Sequence, residues 1–287
     1  MSRRRQADPQ ARLDVTGRLL AATLAVAAVV GAVLVSRVPA AGEQPADTAR
    51  RGFNAFREAA ASTNWSGYAV SGSASAYRAV SGSWVQPAAR CTRGAPSYAS
   101  FWVGLGGFAA GSQALEQIGT SSDCSAPGKA GYTVWYELVP AAAVPVRLRI
   151  APGDSISAVV VVSGHDVTLR LRNVTRRTVF TKRLTMSAPD VSSAEWIAEA
   201  PSECDASWRC RVLPLSNFGT VAFSAAAAAT TAAHAGTISD ATWTATSIEL
   251  VPGGGVAEPG GAVPSELSPD GSGFTVTWRG AAATARG

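Results

Sequence analysis

The sequence predicts an all-β domain, a sandwich or barrel, on three observations. Short strand-like runs recur from Asn64 onward at roughly 8–12-residue spacing. Gly, Pro, Ser and Asn punctuate them, with Pro152-Gly153-Asp154 and Ser163-Gly164 as turn signals. No convincing amphipathic helical repeat lies between them. Hydrophobic residues make up 47% of the 287 and charged residues 16%, a balance that excludes a disordered chain and leaves ample apolar surface for a core.

The elements follow in order. Residues 1–40 read as an export signal. Arg3, Arg4, Arg5, Arg12 and Arg18 precede an uncharged run from Leu19 to Val35, and small residues follow it. Arg37 and the length of the run, at the lower edge for a membrane span, keep an uncleaved anchor as the alternative. Membrane association is expected only in that case. Six Arg and two Asp fall in these 40 residues, so the remainder carries nineteen basic against eighteen acidic side chains, a net +1. A basic surface for nucleic acid is therefore not expected. Residues 41–61, polar and Ala-rich, read as a linker or short pro-segment, and the β domain spans 62–287. Its strands are expected at Tyr77–Val85, Ser100–Val103, Ala114–Gly119, Tyr132–Val139, Ser155–Val162, Asp166–Arg172, Val179–Leu184, Ala194–Ala198, Val221–Ser224 and Thr242–Leu250. Ala225–Ala235 reads as a helical turn or a loose loop, Pro252–Pro269 as a Gly/Pro-rich loop, and Phe274–Trp278 as the last strand.

Four cysteines in an exported chain favour disulfides over thiols. Three pairings are open. Cys204 and Cys210 bracket a short polar loop, which makes their mutual bond the economical one and leaves Cys91 to Cys124. The spacing does not suit a zinc site, and no His pair stands at metal-ligand spacing.

Hydrolytic sites built on histidine have little to work with, because only His165 and His234 exist and both read as surface residues. No phosphate-binding Gly loop, Gly-x-Ser-x-Gly elbow or Asp-Thr/Ser-Gly pair is present. An enzyme here would work with carboxylates and amides. Strand alternation places Gln117 on the face of Leu115, Trp135 with Glu137, and Glu195 with Ile197 and Glu199. Acids and tryptophans on strands of an apolar sheet describe either a Trp-lined groove with carboxylates at its floor or a solvated sheet face.

Asn64-Trp-Ser-Gly, Gly82-Ser-Trp-Val-Gln-Pro87, Phe101-Trp-Val-Gly-Leu-Gly-Gly107, Leu115-Glu-Gln-Ile-Gly119, Tyr132-Thr-Val-Trp-Tyr-Glu-Leu-Val-Pro140, Pro152-Gly-Asp154 and Ala194-Glu-Trp-Ile-Ala-Glu-Ala-Pro201 stand in the order found in glutamic peptidases, the eqolisins. From about residue 62 to the end the chain resembles that family. The resemblance implies a sandwich of two large antiparallel sheets with a concave substrate groove. It also implies endopeptidase activity on polypeptides in acid, no metal or organic cofactor, and indifference to pepstatin; the export signal predicts secretion, and a monomer is expected. It places the catalytic pair on Gln117 and Glu199 and groove residues on Trp102, Trp135 and Glu137. Glu195 is expected to shape the groove. The family's acids are replaced by Gly106, Ser121 and Thr133, with Asp123 as a partial substitute. Two other readings use the same face: a non-catalytic carbohydrate- or peptide-binding sandwich, and a glycosidase with Glu137 and Glu199 as its carboxylates.

Overall fold

The computed structural model describes residues 57–205, 209–251 and 260–280. The predicted export signal and most of the predicted linker lie outside the described residues. Within them the regular structure is all strand.

Two layers pack face to face. One holds β10 (Thr178–Thr185), β9 (Asp166–Asn173), β8 (Ser155–Ser163), β3 (Tyr77–Val85), β14 (Thr220–Thr230) and β18 (Phe274–Arg279), in that spatial order. The other holds β16 (Thr244–Leu250), β2 (Trp65–Ser71), β11 (Ser193–Glu199), β4 (Ser100–Gly106), β5 (Leu115–Cys124), β6 (Ala130–Val139) and β7 (Val144–Val146). β17 (Gly261–Pro264) pairs with both β18 and β16, so the two layers form one hydrogen-bonded path rather than two separate sheets. The pairings along this path are antiparallel. β1 (Arg57–Ser62) is the exception, running parallel to β16.

The main core fills the space between the layers. Ile156, Val160, Leu169 and Leu171 face Phe101, Val103, Ile118, Val134 and Trp196, all fully buried. A buried side chain of this size contributes about 1.5–3 kcal/mol. Trp196 crosses from β11 to β3, donating its indole N–H to Ser81 O at 2.7 Å. Gly82 makes this possible, because a Cβ there would lie 2.8 Å from the indole Cδ1. Trp84 returns the contact, donating to Thr120 Oγ1 at 3.0 Å.

Three segments differ from the sequence expectation. Residues 57–61, read as linker, belong to β1 and hydrogen-bond to β16. The alanine run is not a helical turn. β14 continues to Thr230 through a bulge between Ser224 and Ala227, with Ala225 at φ 50°, and pairs with the short β15 (Ala235–Thr237). Alanines give the alternation no amplitude, so pairing with β3 decides the conformation. The Gly/Pro-rich stretch contains β17, whose register is set by four partners on β18.

Both predicted disulfides are present, Cys91–Cys124 with Cα atoms 5.3 Å apart and Cys204–Cys210 at 3.9 Å. The second closes the hairpin of β12 (Ser202–Cys204) and β13 (Cys210–Val212). His165 is exposed, as expected. His234 is half-buried, bonded to Asp240 Oδ2 at 3.0 Å and packed edge-on against Trp243.

Candidate active site

The second layer has an outer face of its own. Trp65, Ala69, Trp102, Leu115, Trp135, Val139, Ile197 and Ile248 form a separate apolar cluster there, with Phe108 and Ala143 packed against it. Strand register arranges this face in rows. Glu195, Gly104, Gln117 and Glu137 stand opposite one another in sequence across β11, β4, β5 and β6. The next row is Ile197, Trp102, Gly119 and Trp135. The one beyond is Glu199, Ser100, Ser121 and Thr133. Every residue expected to line the site therefore points to one face.

Glu199 is 3% exposed and both its oxygens accept hydrogen bonds. Trp102 Nε1 donates to Oε2 at 2.7 Å and Asn64 Nδ2 to Oε1 at 3.1 Å. Asn64 is fixed by the turn between β1 and β2, where the Ser62 hydroxyl donates to its Oδ1 at 3.2 Å and accepts the Trp65 N–H at 3.1 Å. Burial pushes the Glu199 carboxyl up to about 7, against the pull of the donors Trp102 and Asn64. Gln117 is fully buried, and its Nε2 donates to Glu137 Oε2 at 2.7 Å. An amide nitrogen carries two hydrogens, so one remains for another acceptor.

Glu195 has neither oxygen within bonding geometry of a partner. Burial pushes its carboxyl well above the ordinary range. The Ser193 hydroxyl opposes that shift, and the charges of Asp190 and Glu116 add to it. Asp123 stands two residues beyond Ser121, and burial lifts it to about 7.

Curvature decides how near the two halves of the site come. On a flat sheet the Cα atoms of Trp65 and Gly107 would stand about 25 Å apart, at ~3.3 Å per residue and ~4.8 Å per strand. The indole Cη2 of Trp65 nevertheless comes within 3.2 Å of where a Gly107 Cβ would be. The face curls along this diagonal, helped by the turn at Gly106 and Gly107 (φ 82° and 89°). Glu199 and Gln117 lie on a similar diagonal of the same face, about 16 Å apart if flat. Trp102 lies between them and meets Trp65 edge-on with ring centres 5.1 Å apart.

Asn64 and Trp65 stand in a sequence motif that gives them no role by itself, and nothing local in the sequence points to Asp190. Asp190 fills the space left by Gly106, where a Cβ would sit 2.5 Å from the Asp190 Cβ. No local signal connects positions so far apart in sequence. Gly106→Ala should lower stability by about 1–3 kcal/mol from the left-handed backbone alone and displace Asp190 besides. Thermal unfolding of the variant checks this, and an unchanged midpoint would contradict it.

Comparison with known proteins adds two findings. The model of the Peptidase A4 family matches residues 63–253. Scytalido-glutamic peptidase, solved with a transition state analog inhibitor, is 23% identical with a TM-score of 0.60, covering 75% of this chain and 98% of that one. SCP-B, a member of the eqolisin family in complex with the tripeptide Ala-Ile-His, is 21% identical with a TM-score of 0.57 over the same shares. Aspergilloglutamic peptidase from Aspergillus niger is 27% identical with a TM-score of 0.50, covering 63% of this chain and 99% of that one. No curated protein matches the sequence closely enough to count as a relative.

Proposed function

The chain belongs to the Peptidase A4 family, and from that premise we propose that it is a secreted glutamic endopeptidase in which Glu199 and Gln117 hydrolyse peptide bonds. The observation that carries this reading is the pairing of a buried carboxylate, gripped at both oxygens by Trp102 and Asn64, with a buried amide held by Glu137 on the same curled face. Two disulfides suit an oxidising compartment.

In this mechanism ionised Glu199 removes a proton from water as the oxygen attacks the scissile carbonyl carbon. The free N–H of Gln117 donates to the oxyanion that develops, and an amide donor does not titrate with pH. Protonated Glu199 then returns its proton to the leaving nitrogen as the C–N bond breaks. Trp102 and Trp135 supply apolar walls for a polypeptide, and Glu137 and Glu195 shape the floor. No step calls for a metal, so casein digestion should persist in EDTA and be lost in Gln117→Ala.

The pH dependence follows from burial. Acidic operation would follow if burial shifted Glu199 little, but it lifts the group to about 7. Because the base must be ionised, activity is lost as pH falls through that value. The acid limb of kcat/KM should therefore stand well above the ordinary glutamate value of ~4.3, toward 7. A kcat/KM profile measured with a soluble peptide checks this. A limb at or below 4 would contradict a Glu199 pKa raised by burial.

A further inference from the structure

Chain segments far apart in sequence meet at Asp190. Its Oδ2 accepts the Ser112 hydroxyl and the Gly107 N–H, the latter at 3.4 Å. Its Oδ1 accepts the Ser192 N–H at 2.9 Å, and its own N–H donates to Glu116 Oε1 at 3.2 Å. Ser112 also lies 3.0 Å from Ala114 O. A hydroxyl has one hydrogen, and the charged acceptor makes the stronger bond. The Gly107 N–H reaches Ser112 Oγ as well, at 3.1 Å.

All of this holds one loop. β4 and β5 are antiparallel neighbours that a two-residue turn could join, yet residues 107–114 intervene. Apart from Phe108 the loop is Gly, Ala, Ser and Gln, which bury little apolar surface. Phe108 packs onto the cluster of Trp65, Trp102 and Trp135 beside the candidate catalytic pair. One aromatic contact would leave such a loop free to swing. Asp190 supplies the second anchor, and it can approach only because position 106 has no side chain.

We infer that Asp190 is a positioning residue, a clasp that seats the 107–114 loop so that Phe108 forms one wall of the substrate groove and limits the size of the peptide side chain bound there. The inference rests on the peptidase reading above. The acid at 190 is not a catalytic residue, since it bonds to the loop and not toward the Glu199–Gln117 pair.

The test measures peptide kinetics and backbone amide exchange on the whole protein. Losing a charge-assisted bond should raise KM about tenfold in Asp190→Ala, with kcat changed less than about threefold. Exchange at Gly107 and Ser112 should quicken by about tenfold or more. Asp190→Asn, which keeps an acceptor oxygen, should fall between Asp190→Ala and the wild type. Phe108→Ala should raise KM similarly and admit bulkier peptide side chains. Wild-type KM and wild-type exchange in Asp190→Ala would overturn the clasp, as would a loss confined to kcat. Should Asp190→Ala not fold, Ser112→Ala removes the same contact with Asp190 in place, and wild-type KM and exchange there overturn the inference equally. A wild type without peptidase activity would refute the proposed function alone, because amide exchange still decides whether Asp190 holds the loop.

Discussion

Glu199→Gln should lower kcat by about 10²–10⁴-fold, the range for removing a general base, with the fold intact. The glutamine is nearly isosteric and can still accept a hydrogen bond from Trp102 or Asn64, but it cannot take a proton from water. Gln117→Ala removes the oxyanion donor and should cost about 10²–10³-fold. Glu195 separates the competing assignments. It shares the face of Glu199 four residues away, about 13 Å at ~3.3 Å per residue, so one water cannot serve both. Its row contains Gln117, which on register alone makes it the nearer acid. Yet its oxygens have no partners and burial raises its pKa well above the ordinary value, whereas Glu199 has two donors that favour the charge a base needs. Glu195→Gln replaces one neutral group by another and should leave kcat within about threefold, since no proton transfer is lost. Steady-state kinetics on the three variants decide the matter. Turnover abolished in Glu195→Gln and retained in Glu199→Gln would move the base to Glu195.

Thermal stability should be highest near pH 4 and fall steeply toward pH 8. Burial raises Glu116 from 4.5 to about 8, Asp123 from 3.8 to about 7 and Glu199 from 4.5 to about 7, and it raises Glu195 well above 4.5. A carboxyl that holds its proton more tightly when folded stabilises the fold fully below its unfolded pKa. That contribution is lost as pH rises toward the folded value. For Glu116 alone, from 4.5 to about 8, the loss is about 5 kcal/mol at ~1.4 kcal/mol per unit. Asp154 and Asp190 act in the other direction. Burial would raise them too, but hydrogen bonds outweigh it, from Arg176 and Asn173 in the first case and from Ser112 and Ser192 in the second. Their contribution is present above about 3.8 and lost below it. Calorimetric midpoints across pH 3–8 measure both arms. Glu116→Gln should flatten the alkaline arm while keeping an acceptor for the Asp190 N–H. A midpoint that is level or rising from pH 4 to 8 would contradict burial of these acids.

The residues of the site were largely legible because strand alternation is local. Period two alone put Gln117 with Leu115, Trp135 with Glu137 and Glu199 with Glu195, and the structure places all of them on one face. The Cys204–Cys210 bond followed from short spacing, and Cys91–Cys124 by elimination. Where side chains carry no contrast, pattern reading failed. The alanines of β14 have no polar face to reveal a strand, and the bulge at Ala225 comes from pairing with β3. β17 and β1 are likewise short runs made into strands by their neighbours.

What the sequence determined by itself is the all-β class, the covalent framework and the membership of the candidate catalytic face, each of which depends on residue type and near spacing. Only the tertiary structure decided that Asn64, 135 residues from Glu199, holds its carboxylate, and that Asp190 enters the space left by Gly106. It also decided that Glu195 is fully buried with no hydrogen-bond partner on either oxygen, which raises its pKa well above the ordinary value. Those outcomes depend on the register of strands distant in sequence and on the volume that excludes water once the layers close. Burial and the hydrogen bonds that the fold supplies, more than residue identity, shift the pKa of a carboxyl.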